Sequence, residues 1–120
     1  MCYCRINHKN HTSVVVSCIY RTPGSPIDTF CENLERNLSD VKSVKTIFLC
    51  GDFNIDLFKH ETHYNTKHFL DTMYSLGLYP LIDKPTMITN NSTTLIDNIF
   101  TNELRFNLTS GIMYNDISDH

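Results

Sequence analysis

Apolar residues follow two periods along this chain, and their order predicts the architecture. Val14, Val15, Val16, Cys18 and Ile19 form a β-branched run that reads as a central strand. It stops at Thr22-Pro23-Gly24, where Pro and Gly enforce a loop. The period then changes: Phe30, Leu34, Leu38 and Val41 recur at helical spacing while Glu32, Glu35 and Arg36 fall on other faces, which predicts a helix over 26–42. Ser25 as N-cap, Pro26 at the first helical position and Asp28 in the first turn suit its start. Ile47 to Cys50 is uninterrupted and apolar, the pattern of a strand buried on both faces, and Gly51 ends it. A second helix over 66–76 turns Phe69, Leu70, Met73 and Leu76 inward and stops at Gly77. Further strands are predicted at 78–82, 93–101 and 108–114, with Asp83-Lys84-Pro85-Thr86 turning the chain. Residues 1–12 are polar and mixed, a ragged segment or an edge element.

This alternation of strands and helices is an α/β pattern. The runs at 14–19 and 47–50 are apolar on both faces, so both faces of their sheet need cover. Two helices shield one face. The other is expected to be covered from outside the chain, which makes residues 13–120 part of a larger sandwich. At 120 residues there is room for at most one domain.

Composition adds little, with 41% hydrophobic and 19% charged residues marking an ordinary globular protein. The net charge of -3 shows no basic stripe of the kind that announces nucleic acid. Metal-binding carboxylates lower net charge in the same way, while the ion restores local positive potential. The five cysteines lack the regular framework of a disulfide scaffold, so buried free thiols are expected. Cys2 and Cys4 with His8 and His11 match no common zinc spacing. With no apolar run of membrane-spanning length and no signal-peptide pattern, the chain is expected to be nuclear or cytoplasmic and not secreted.

Candidate chemistry begins where the 47–50 strand ends. Asp52 and Asn54 lie two apart in Gly51-Asp52-Phe53-Asn54, where alternation aims both side chains to one side. A carboxylate and an amide there can hold a hard cation, orient a water or touch a phosphate; Gly, Asp and Asn also make an ordinary turn. Asp97 interrupts a run otherwise fit for burial, and an ionised carboxylate there needs a partner, a histidine or a metal. Tyr20, at a strand end, is half-buried core or a hydroxyl that reaches a substrate oxygen. His60 and His63, three apart, either share a helix face or sit exposed in a loop.

Tyr20-Arg21-Thr22-Pro23, Gly51-Asp52-Phe53-Asn54, Leu95-Ile96-Asp97-Asn98-Ile99-Phe100 and Ser118-Asp119-His120 occur in that order. Together they resemble the C-terminal part of the endonuclease/exonuclease/phosphatase family, the DNase I-like fold. The text between them is most similar to the endonuclease domain of non-LTR (LINE-type) retrotransposon polyproteins, over roughly residues 13–120. The resemblance implies a four-layer α/β sandwich, of which this chain is a partial portion truncated at both ends, and cleavage of phosphodiesters in DNA with Mg²⁺ or Mn²⁺. It implies roles residue by residue. Asp52 activates or orients the attacking water, and Asn54 beside it holds water or phosphate. Asp119 joins Asp52 at the metal, His120 contacts the scissile phosphate, Asp97 orients His120, and Tyr20 lies near the phosphate. It implies as partners the missing N-terminal half of the domain and the reverse transcriptase of a parent polyprotein. None of Glu32, Glu35, Glu61 or Glu103 sits in a motif matching the family's metal-ligating glutamate, and Met87 stands where related domains often carry arginine after Pro-Thr. The alternative is a catalytically inactive remnant, or an interaction module of the same fold.

Overall fold

The computed structural model describes residues 2–7, 13–39, 46–104 and 108–113, the first of these segments by its backbone. The two central runs are strands β2 (Ser13–Tyr20) and β3 (Thr46–Asp52), paired in parallel from Val14↔Thr46 to Tyr20↔Asp52. β1 (Cys2–Asn7) adds antiparallel to β2 as an edge strand. Between β2 and β3 runs α1 (Ile27–Ser39), and after β3 come a 3-10 turn (Leu57–Lys59) and α2 (Tyr64–Ser75). The remaining strands are β4 (Tyr79–Pro80), β5 (Met87–Ile88), β6 (Thr93–Thr94) and β7 (Asp97–Thr101). The main sheet has the order β1-β2-β3-β7-β4, and β5 with β6 form a separate ribbon.

One face of this sheet is core. Val15, Ser17, Ile19, Ile47, Leu49 and Phe100 are buried on it, and Ile27, Cys31, Leu34 and Leu38 of α1 and Phe69, Leu70 and Met73 of α2 complete the same core. Phe53, Phe69 and Phe100 meet in a triangle with centroids 5.3–5.6 Å apart, two of its three pairs edge-to-face, the arrangement that ring quadrupoles favour. The opposite face carries Val14, Val16, Phe48, Cys50 and Ile99 half-buried, with Cys18 and Tyr20 exposed. Among the described residues, the apolar strands expected to need cover on two faces have it on one. Of Cys18, Cys31 and Cys50, Cys31 alone is fully buried, and burial pushes it up from its ordinary pKa; Cys18 is exposed on the opposite face.

Helix ends follow local chemistry. α2 closes in a Schellman arrangement: Leu78 N donates to Met73 O (2.9 Å) and Gly77 N to Tyr74 O (2.9 Å), with Gly77 at φ +74°. Leu78 and Met73 are both buried, the apolar contact that accompanies this cap. α2 starts earlier than the 66–76 expected, at Tyr64. In α1 the buried stripe is Ile27, Cys31, Leu34 and Leu38; Phe30 packs partly against it, and Val41 lies outside the described residues.

Three strand expectations are corrected. The 78–82 strand shrinks to Tyr79–Pro80, since Pro80 has no N–H to give a ladder and sits on the edge of the sheet. The single run 93–101 divides between the ribbon and the main sheet. Leu95 N is met by Asp56 Oδ1 (3.0 Å) and Ile96 N by Thr86 Oγ1 (3.2 Å), so side chains replace strand partners where the chain changes sheets. Leu108 to Met113 form no strand; Ser110 instead donates its hydroxyl to Leu81 O at 2.7 Å. No helix among the described residues is long and apolar enough to cross a membrane.

Candidate active site

The ends of β2, β3 and β7 put three of the chosen residues in one row. Tyr20 pairs with Asp52 across the parallel ladder, and Asp52 with Asp97 across the antiparallel one. Strand alternation puts all three on the uncovered face of the sheet. Tyr20 is 68% exposed, which excludes the half-buried core reading. Asp52 and Asp97 are half-buried. Two carboxylates directly opposite on neighbouring strands repel, and a cation or donor between them relieves this.

Close approach of the strands depends on Gly51, whose missing Cβ would lie 1.9 Å from the Ile19 carbonyl oxygen. The turn beyond it is held from several directions. Asn54 N donates to Asp52 Oδ1 (3.0 Å), an Asx turn, and Asn54 has φ +50°. That left-handed conformation costs on the order of 1 kcal/mol in a residue with a Cβ, least in Asn and Asp. The Asn54 amide donates through Nδ2 to Arg21 O at 2.7 Å, and its Oδ1 is an acceptor. Phe53, only 1% exposed, drives its ring into the aromatic triangle while its N–H donates to Ile96 O (2.9 Å). This tetrapeptide is thus an Asx turn anchored in the core by Phe53.

Asp97 is not the buried charge that its sequence context predicts. It is the first residue of β7 and stays half-exposed, because the run around it leaves the ribbon and enters the sheet there. Its N–H donates to Thr86 Oγ1 at 3.1 Å, and Thr86 N donates to Thr94 O at 2.9 Å, so the ribbon fixes where β7 begins. Asn98, fully buried, accepts from Ile82 N (3.1 Å) and donates to Ile82 O (2.9 Å), tying the 80–83 loop to the same strand. Asp56 accepts from both Leu95 N and Phe58 N. Arg21 and Asn98 lie within the ordered motifs and Thr86 in the 83–86 turn, but nothing local in the sequence marks them, or Asp56, as supports of the row. The nearest to a signal is Thr86 after Pro85, a hydroxyl at a turn.

His120 and Asp119 lie outside the described residues. His60 and His63 do not share a helix face: His63 is the extended residue capping α2, its Nδ1 3.2 Å from Thr66 Oγ1, and His60 Nδ1 is 3.3 Å from Leu57 O. Among the described residues no three His, Cys, Asp or Glu side chains gather as a metal cluster. The two carboxylates of the row and the carboxamide oxygen of Asn54 beside it are ligand types that suit a hard cation that keeps much of its water. An apolar hollow lined by Leu57, Leu70, Tyr74, Pro80, Ile82 and Leu95 includes none of Tyr20, Asp52, Asn54 and Asp97. Tyr20 lines a smaller hollow with Arg21, Ser25, Pro26, Thr29 and Phe30.

Comparison with solved structures finds this fold in larger proteins. The endonuclease domain of TRAS1, a telomere-specific non-LTR retrotransposon, superposes with a TM-score of 0.59 at 21% identity, over 74% of this chain and 42% of that one. An endonuclease/exonuclease/phosphatase family protein from Leptotrichia buccalis gives 0.61 at 19% identity, over 84% and 41%. Another from Bacteroides thetaiotaomicron gives 0.51 at 17%, over 82% and 40%. The chain spans about two-fifths of the length of each, and at these identities the likeness establishes the fold: a mixed sheet with helices of the DNase I-like kind. No curated protein matches the sequence. A family model described as endonuclease-reverse transcriptase matches residues 14–120. That match takes in every motif from Tyr20 to His120, and on it the chain belongs to the endonuclease-reverse transcriptase family.

Proposed function

We propose that this chain is part of a Mg²⁺-dependent endonuclease domain that nicks target DNA for a non-LTR retrotransposon. The observation that carries this is the row Tyr20, Asp52, Asp97, with the Asn54 turn beside it, at the ends of three adjacent strands. Asp52 and Asn54 Oδ1 are acceptors, able to hold and orient an attacking water, and Asp52 can take its proton. Asp97 is the carboxylate that would orient the ring of His120, fixing its tautomer so that the other ring nitrogen donates to the scissile phosphate. Tyr20 presents an exposed hydroxyl to a phosphate oxygen. Asp52 and Asp119, with waters, would hold Mg²⁺ or Mn²⁺, which when bound neutralises charge building on the phosphoryl oxygens.

The half-buried sheet face supports a partner sheet from the rest of the domain, and the family description supports a reverse transcriptase in the parent polyprotein. Nuclear or cytoplasmic residence follows from that role. The test is nicking of supercoiled plasmid, in Mg²⁺ and in EDTA, by this chain and by the chain extended with native flanking sequence. Nicking by the extended form that Asp52→Ala or His120→Ala silences is the expected result. A folded extended form that never nicks overturns the reading in favour of an inactive remnant.

A further inference from the structure

We propose that Arg21 is a positioning residue of this site, the side chain that sets the Asp52–Asn54 turn; its kinetic consequence rests on the nuclease reading above. Arg21 follows Tyr20 and is only 6% exposed. Its main chain is bonded to the turn twice: Arg21 N donates to Asp52 O (2.9 Å), and Asn54 Nδ2 donates to Arg21 O (2.7 Å). Its guanidinium then reaches around the same turn. One terminal nitrogen donates to Asn54 O at 3.1 Å and lies 3.5 Å from Phe53 O, and the other donates to Ser25 O before α1. The guanidinium carbon lies 5.7 Å from the centroid of the Phe30 ring.

A cation is expensive in such a place. Burial draws the Arg21 pKa down, yet a guanidinium stays charged at any working pH. Carbonyl dipoles and the Phe30 face compensate it, and Nε is buried with no hydrogen-bond partner among the described residues. The placement serves the carbonyls of 53 and 54 at the expense of the side chain's own satisfaction. What those carbonyls belong to is the left-handed Asn54, a conformation that persists only where its surroundings over-determine it. A planar fork holds acceptors in two segments at a fixed spacing, whereas a lysine ammonium offers its three donors from a single atom on a flexible stem. Without the fork, Asn54 loses the contact that fixes its carbonyl, and its side-chain amide and Asp52 lose their fixed relation.

The experiment compares wild type, Arg21→Lys and Arg21→Ala in the chain extended with native flanking sequence. Nicking kinetics in Mg²⁺ are read beside the Asn54 side-chain amide resonances by ¹⁵N NMR. In Arg21→Lys we expect kcat to fall by about tenfold to a hundredfold with KM within about twofold, the signature of a misplaced group in a folded enzyme. The Asn54 amide should move toward solvent-exposed values, and methylguanidinium, not methylamine, should restore part of both readouts in Arg21→Ala. Wild-type kcat in Arg21→Lys, or a loss that only tracks the unfolded fraction and resists methylguanidinium, overturns the proposal. If wild type does not nick, the nuclease reading fails, and the amide alone decides: unmoved in Arg21→Lys, it overturns the assignment; moved, it upholds Arg21 as the residue that sets the turn.

Discussion

Gly51→Ala should be far more damaging than an alanine elsewhere in a strand. The added Cβ would stand 1.9 Å from Ile19 O, about 1.4 Å inside the roughly 3.3 Å at which carbon and carbonyl oxygen ordinarily meet. The obstacle is backbone, with Ile19 C at 2.8 Å and Ile19 N at 3.0 Å, so no rotamer change relieves it. β2 and β3 must part at this row, one step from Tyr20 and Asp52. Losing two ladder hydrogen bonds at about 1 kcal/mol each, with a buried donor left unpaired at about 1–3 kcal/mol, sums to roughly 3–5 kcal/mol. Against a whole-domain stability of about 5–15 kcal/mol this is a large share. With a urea slope of about 2 kcal/mol/M, the midpoint should fall by about 1.5–2.5 M, or the folded baseline should vanish. Gly77→Ala is the control: nothing lies within 4 Å of its added Cβ, and only the φ of +74° is strained. It should cost only about 1 kcal/mol. Urea titrations of both variants in which Gly51→Ala costs no more than Gly77→Ala would refute the close-approach argument.

Thr86→Val keeps the shape and removes the acceptor of Ile96 N and Asp97 N, so a loss of about 1–3 kcal/mol is expected, and nicking by the extended chain should fall with it; unchanged melting and nicking would rule out the ribbon as the support of Asp97. Phe53→Ala removes one corner of the aromatic triangle and should cost about 3–5 kcal/mol, measured by thermal melting, while loosening the turn it anchors. Burial raises the thiol pKa of Cys31 and Cys50 above the ordinary 9.0. Their contribution to stability is complete below that value and is lost as pH climbs from about 9 through the folded-state pKa values, so urea midpoints should hold between pH 7 and 8.5 and decline by pH 10.5. Iodoacetamide at pH 8 should label Cys18 before Cys50 and Cys50 before Cys31; equal rates in mass spectra would contradict the burial order.

The periodicities alone determined the central strands, both helices and the need for cover on two sheet faces, because these depend on residues near in sequence and on the energy of burying apolar surface. Gly77 as a helix stop and Asp52 with Asn54 as a paired feature were legible for the same local reason. The four ordered motifs pointed to the family, and its model covers them. What sequence could not say is where one apolar run serves two sheets. Residues 93–101 alternate like a single strand, but Asp56 and Thr86, distant in the chain, take the donors of Leu95 and Ile96 and let it change partners. That exchange makes Asp97 the first residue of β7 and half-exposed. Arg21 shows the same limit: an arginine at a strand end reads as solvated until the fold folds the Asn54 turn and Ser25 around it. Register too is a tertiary fact, and it is register that aligns Tyr20, Asp52 and Asp97, since hydrogen-bond partners across strands are chosen by the whole sheet.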